Sequence, residues 1–287
     1  MKFAMKKSRL GFALLAFLFI PLLLASAPAS DSKRKDTGHL PFDSPEELVY
    51  EGEFSRALLR GIDVAELRFT ANRAQASSAA QSNAAAQSSS TLHFTLEAVT
   101  KGILRKLFGL NYHQRVESTV EPTSFSVLQT TKLDEQGKRK RTSEAIFDKL
   151  AGQVVWTERD PNDPAREPRV ITSPASGAVQ DIASAFYYLR TQPLEPGKSL
   201  EILVSDSGQV YRIPVAVTER KKMKTVLGQV QTVKVEPEIF GDNRLLRGKG
   251  KLVIWFTDDA RHVPVRARIN NELGTLDIKL KRMNAAK

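Results

Sequence analysis

From Glu46 the chain changes to runs in which apolar and polar residues alternate with a period of two. On an extended backbone that spacing puts every second side chain on the same face. In ELVYEGEFSR, Leu48, Tyr50, Gly52 and Phe54 share one face, and Glu47, Val49, Glu51 and Glu53 share the other. GIDVAELRFTANR continues with Ile62 and Val64, then Leu67 and Phe69 one residue out of step, a slip that suits a β-bulge. Similar runs follow: TLHFTLEAVTK, NYHQRVESTV, SFSVLQTTKL, SEAIFDKL and QVVWTERD, then SLEILVSD, QVYRIPVAVTER, QVQTVKVEPE, GKGKLVIWFTD, HVPVRARIN and GTLDIKLKRM. They are rich in Val, Ile, Thr and aromatics and are separated by Gly, Pro, Asp or Asn, which marks strands and hairpins. One-sided alternation predicts antiparallel sheet with one dry face and one wet face.

A helical period occurs twice. GILRKLFGL (102–110) makes one or two amphipathic turns. AVQDIASAFYYLRTQPL (178–194) places Ile182, Ala185, Phe186 and Leu189 on one face and stops before Pro193. Asp181 is placed to cap this helix, and Arg190 near its carboxyl end suits the dipole. Tyr187 and Tyr188 are expected to pack, one hydroxyl reaching solvent or a backbone carbonyl. About a dozen strands with one principal helix, over about 178–191, predict a mainly β fold. Its form is an antiparallel, strongly curved sheet or incomplete barrel with a helical lid or plug. Residues 46–283 form a single β-rich domain in this reading. Within it, 74–90, made only of Ala, Ser, Gln and one Asn, is a disordered insertion, and the Pro-rich stretch 160–176 is a long irregular connection.

The first 45 residues follow a different pattern. Lys2, Lys6, Lys7 and Arg9 precede the uncharged run GFALLAFLFIPLLLASA, and Ala27-Pro28-Ala29 follows. That order predicts a signal peptide over 1–29, with an uncleaved inner-membrane anchor as the alternative. Residues 30–45 read as a flexible linker. The exported chain is expected in the periplasm, or else secreted, with no integral span once the signal is removed. With no cysteine, it carries neither a disulfide nor a thiol for a lipid anchor. Removing the four basic residues of the n-region from 43 leaves 39 against 32 acidic ones, a net charge of +7 instead of +11. Such a surplus suits solubility, and export argues against nucleic acid as a partner. The run Lys138-Arg139-Lys140-Arg141 reads as the charged tip of a hairpin.

Motifs of catalysis are missing. There is no G-x-S-x-G elbow, no G-x-G-x-x-G and no P-loop string, and the Ser30/Lys33 pair lies in the linker. The four histidines, His39, His93, His113 and His262, show no ligand spacing. No catalytic residue, metal or cofactor is assigned. The densest chemistry is DDARH, Asp258 to His262. Its flanks alternate: Leu252, Ile254 and Phe256 before, then Val263, Val265, Ala267 and Ile269 after. Short carboxylates favour chain reversal by bonding nearby amides, so a hairpin turn is the expected role.

Three strings in order carry a resemblance: QDIASAFYYLRTQPLEPGKSLEI, YRIPVAVTERKKMKTVLGQVQTVKVEP and LVIWFTDDARHVPVRARINNELGTLDIKL. They resemble the bacterial exported family known as domain of unknown function 3108. The shared positions are Asp181, Ser184, Tyr187 or Tyr188, Arg190, Gly197, Leu227, Gly228, Trp255, Asp258, Asp259, Pro264 and Gly274. YEGEF and GIDVAELRF are similar to that family's opening hairpin. The resemblance covers roughly 46–283 and implies export and a β-rich architecture; it transfers no catalytic residue.

Two functions from different classes follow. The first is a non-catalytic binding or scaffold protein of the cell envelope. It would hold a lipid-like or other apolar ligand, or an envelope protein partner, in a concave sheet, with Arg190, Tyr187, Tyr188, Asp258 and Asp259 as candidate ligand contacts. The second is a polysaccharide-active envelope hydrolase using Asp181, Asp258 and Asp259, which needs two carboxylates across a cleft. A concave apolar face left incompletely filled by the 178–191 helix would favour the first.

Overall fold

The computed structural model describes residues 40–42, 45–74, 90–102 and 111–285. The expected signal peptide, most of the linker, residues 75–89 of the insertion and residues 103–110 of the short helical run lie outside these. The strands, in chain order, are β1 (Glu46–Arg56), β2 (Leu59–Ala74), β3 (Thr91–Thr100), β4 (Tyr112–Glu121), β5 (Ser126–Gln136), β6 (Arg139–Asp148), β7 (Gln153–Arg159) and β8 (Arg169–Pro174). They continue with β9 (Val179–Gln180), β10 (Ser199–Asp206), β11 (Gln209–Thr225), β12 (Gly228–Pro237), β13 (Gly250–Thr257), β14 (Pro264–Asn271) and β15 (Gly274–Ala285). The helix α1 spans Ile182–Arg190, between β9 and β10.

All fifteen strands belong to one curled sheet, ordered β8-β7-β6-β5-β4-β3-β2-β1-β15-β14-β13-β12-β11-β10-β9. The first and last strands therefore pair at its centre, and the hairpins run outward in both directions. Every pairing is antiparallel except β9 with β10. The alternation read from the sequence is the pleat: Leu48, Tyr50, Gly52 and Phe54 all point into the buried side of β1. The change of step in β2 is a bulge. Gly52 pairs with Ala65 and Glu53 with Asp63, which leaves Val64 as the extra residue.

Two expectations are refined. The helix begins at Ile182, because Val179 and Gln180 are extended and pair with Leu203 and Val204. The connection 160–176 is not wholly irregular. Its second half is the edge strand β8, where Pro168 precedes the ladder and Pro174 ends it, positions that cost no hydrogen bond.

Asp181 caps α1 reciprocally: its carboxylate accepts from Ser184 N at 2.8 Å, and Ser184 Oγ accepts from Asp181 N at 2.9 Å. The helix lies inside the curl and separates two apolar clusters. On one side Phe42, Phe94, Phe125 and Tyr187 nest, with Phe94 and Tyr187 stacked at 4.3 Å. On the other, Leu189 meets Ile202, Val215, Val235 and Phe256.

The two ends of the sheet meet without a backbone ladder. Side chains close this seam: Gln180 Nε2 donates to Phe125 O (2.6 Å), Thr130 Oγ1 to Asp181 Oδ2 (2.5 Å), Lys132 Nζ to Asp206 Oδ1 (3.1 Å) and Ser173 Oγ to Gly208 O (2.6 Å). Ser207 and Gly208, both at positive φ, form the two-residue turn joining β10 to β11. A Cβ on Gly208 would come within 2.8 Å of Ile171, so glycine permits this contact between the ends of the sheet.

Candidate functional site: an apolar cavity with a polar end

The helix does not fill the curl. The face carrying Ile182, Ala185, Phe186 and Leu189 borders a cavity of about 370 Å³. One wall comes from β1 to β4 through Tyr50, Phe54, Leu67, Phe69 and Leu96; the other comes from β10 to β15, including Ile202, Ile213, Ile254, Ile269 and Ile278. Small residues keep it open. Ala65, Ala98, Ala185 and Ala267 stand where larger side chains would meet across the space. The volume falls within the range of small-molecule sites, roughly 300–1,000 Å³, whose linings are mostly apolar with a few placed polar groups.

Those polar groups sit on β4. Its inward positions read Tyr112, Gln114, Val116, Ser118, Val120, so two hydrogen-bonding side chains face the cavity from its first half. The Tyr112 hydroxyl and Gln114 Nε2 are buried with no hydrogen-bond partner among the described residues. Burial, and then the charges of Asp134 and Asp206, push the Tyr112 hydroxyl far above its ordinary pKa, so it stays a donor. Gln114 pairs in register with Asp134, which is 2% exposed and accepts from Arg139 Nη1 (3.0 Å) and Gln136 Nε2 (3.1 Å). Asp206 in turn accepts from Lys132. Both acids near the polar end already hold their own partners.

The residues singled out from sequence lie elsewhere. Arg190 is fully buried and forks onto Glu46, Nη1 to Oε1 at 2.5 Å and Nη2 to Oε2 at 3.1 Å. Its Nε donates to Arg261 O and its Nη2 to Pro41 O, and the guanidinium lies over the Phe42 and Tyr187 rings. Tyr187 is enclosed in the aromatic nest, its hydroxyl without a hydrogen-bond partner among the described residues. Tyr188 is half-buried and touches Phe125, with ring centroids 5.7 Å apart.

The DDARH stretch is a turn between β13 and β14. Asp259 Oδ1 accepts from Arg261 N, His262 N and Thr257 Oγ1, and Asp258 Oδ2 accepts from Arg220 Nε. His262 Nδ1 donates to Arg190 O, so the turn clasps the end of α1 through its imidazole and a backbone carbonyl. None of Arg190, Tyr187, Tyr188, Asp258, Asp259 or Asp181 lines the apolar cavity. The carboxylates of the hydrolase alternative are engaged as a helix cap, an ion pair and a turn cap.

Most of the other charges lie on the outer face. Arg139 pairs with the buried Asp134, Lys140 with Glu135 and Arg141 with Asp160, so three of the four cations of the basic run are paired at the hairpin tip. His113 lies between two carboxylates, Nδ1 to Glu135 and Nε2 to Glu97, both at 2.9 Å. Among the described residues, no three His, Asp or Glu side chains gather as metal ligands.

Sequence reading passed over Glu46, Tyr112 and Gln114. For the β4 pair a signal existed: polar residues at positions in step with Val116 and Val120. For Glu46 there was none, since its partner is 144 residues away.

Comparison with known proteins places this geometry. The profile of the family described as "Protein of unknown function (DUF3108)" matches residues 64–281. No curated protein matches the chain. Among solved structures it is similar to the beta-barrel-like protein of domain of unknown function DUF1849 from Brucella abortus, at 12% identity and a TM-score of 0.52. That likeness spans 86% of this chain and 99% of the other, and it concerns the fold alone. A Bacteroides fragilis protein of YmcC-like fold aligns over 85% of this chain and 98% of its own, at 8% identity and a TM-score of 0.28, too distant to carry an argument.

Proposed function

We propose, from the premise that the chain belongs to the DUF3108 family of proteins of unknown function, that it is a binding protein of the cell envelope that carries an apolar, lipid-like ligand inside its curled sheet. The cavity beside α1 is the observation that carries this reading. Apolar lining left unpacked forgoes the hydrophobic and dispersion stabilisation that a filled core would have. A protein that keeps Ala65, Ala98, Ala185 and Ala267 along such a space is better explained by an occupant than by imperfect packing. The lining is aliphatic and aromatic, so hydrophobic transfer is the driving force.

The n-region, apolar run and Ala27-Pro28-Ala29 of the sequence support export, and the periplasm is the compartment of this reading. Among the described residues no helix is long and apolar enough to cross a membrane.

The test is native mass spectrometry of the full chain extracted under mild conditions, beside an Ala267→Phe variant that puts a bulky ring into the cavity. Wild type should carry a stoichiometric lipid-sized adduct, and the variant should hold less of it while melting no lower. A bare wild-type mass, with no uptake of the neutral dye Nile red, would remove the reading.

A further inference from the structure

The cavity is almost wholly apolar, yet two donors are built into one end of it. Tyr112 and Gln114 stand two residues apart on the same face of β4, and each is at least nine-tenths buried. Neither the Tyr112 hydroxyl nor Gln114 Nε2 has a partner among the described residues. Unmet donors in a dry interior are costly, and buried polar groups in folded proteins are nearly always satisfied. Gln114 has an acceptor near at hand, since Asp134 is its register partner, but that carboxylate bonds Arg139 and Gln136 instead. Both residues line the cavity, and neither donor has an acceptor among the described residues.

The neighbourhood also decides the charge of that acceptor. Asp134 and Asp206 both act on the Tyr112 hydroxyl, and the cations closest to them, Arg139 and Lys132, are bound to these two acids. Among the described residues, a ligand carboxylate or phosphate brought to this end would meet two anions, and the cations beside them are already bound to those anions. A neutral carbonyl meets two donors and no repulsion. We infer that Gln114 and Tyr112 form the recognition site for a neutral acyl ester or amide, its carbonyl oxygen accepting from this pair while its hydrocarbon chain fills the cavity beside α1. This rests on the reading of the cavity as a ligand site.

Displacement of Nile red from the full chain by three probes that share a twelve-carbon chain, dodecane, laurate and methyl laurate, tests it. Methyl laurate should compete about tenfold more strongly than either dodecane or laurate at pH 8. In Gln114→Leu and Tyr112→Phe that advantage should fall by about fivefold or more, with dodecane unchanged. Neither variant should melt lower than wild type, because each removes an unsatisfied buried group. Equal competition by dodecane and methyl laurate, tighter binding of laurate, or an ester advantage that survives Gln114→Leu overturns the inference and leaves the apolar cavity standing. Failure of all three probes and of the dye itself removes the binding reading as well.

Discussion

Glu46 and Arg190 form an ion pair with no exposure on either side chain, a costly arrangement unless every polar edge is met. Here four of the five guanidinium N–H groups are met. The carboxylate takes one from each of Nη1 and Nη2, Nη2 also reaches the Pro41 carbonyl and Nε the Arg261 carbonyl, and two aromatic faces cover the cation. Removing one charge leaves the other buried and unpaired, so Glu46→Gln should lower the unfolding free energy by about 3–5 kcal/mol in urea titration. A loss below about 1 kcal/mol would show that the pair contributes little. Sequence could place Arg190 at the end of a helix and assign it to the dipole. It could not supply Glu46, because the partner is chosen by the docking of α1 beneath the start of β1, a contact with no local pattern.

At the scale of elements, the period of two was enough to find the long strands, because each buries one face and wets the other. The bulge in β2 was legible as a one-residue slip between Val64 and Leu67, and α1 as a stripe ended by Pro193. Two strands escaped. β9 has two residues, too few to show any period, and β8 sits among prolines that an edge strand tolerates and a central one does not. The polar end of the cavity was half legible: Tyr112 and Gln114 stand in the inward register of β4, but whether that side is wet or dry depends on the whole sheet. On the outer face of the same strand, His113 ties β3, β4 and β5 together. Its bond to Glu135 raises its pKa first, burial opposes, and Glu97 adds to the rise. A histidine whose folded pKa lies above the ordinary ~6.5 contributes stability that is complete below that value and is lost as pH climbs through the folded one. An NMR titration of His113 should therefore find a midpoint above 6.5. The wild type should lose more melting temperature between pH 6 and 9 than His113→Gln does. A midpoint at or below 6.5 would contradict the bridging geometry.

The molecule as a whole depends on how its sheet ends meet. The β10–β11 turn presses on β7 and β8 at Gly208, where an added Cβ would come within 2.8 Å of Ile171 and 3.1 Å of Trp156. Gly137 has a similar positive φ, +60°, with nothing near its missing Cβ. Gly137→Ala thus measures backbone strain alone, about 1 kcal/mol. Gly208→Ala adds a clash at the seam and should cost at least ~2 kcal/mol in the same denaturation experiment. Equal costs would mean the seam yields. The bonds across that seam come from side chains, whereas the ladder within the sheet is backbone to backbone. In a closed barrel the bore is set by strand number and stagger, and widening it means breaking main-chain bonds along a strand. A hoop has one circumference; a scroll has a range of them. A shift of β9 and β10 against β5 and β8 would strain the side-chain bonds and packing of the seam and still leave all fifteen strands paired as they are.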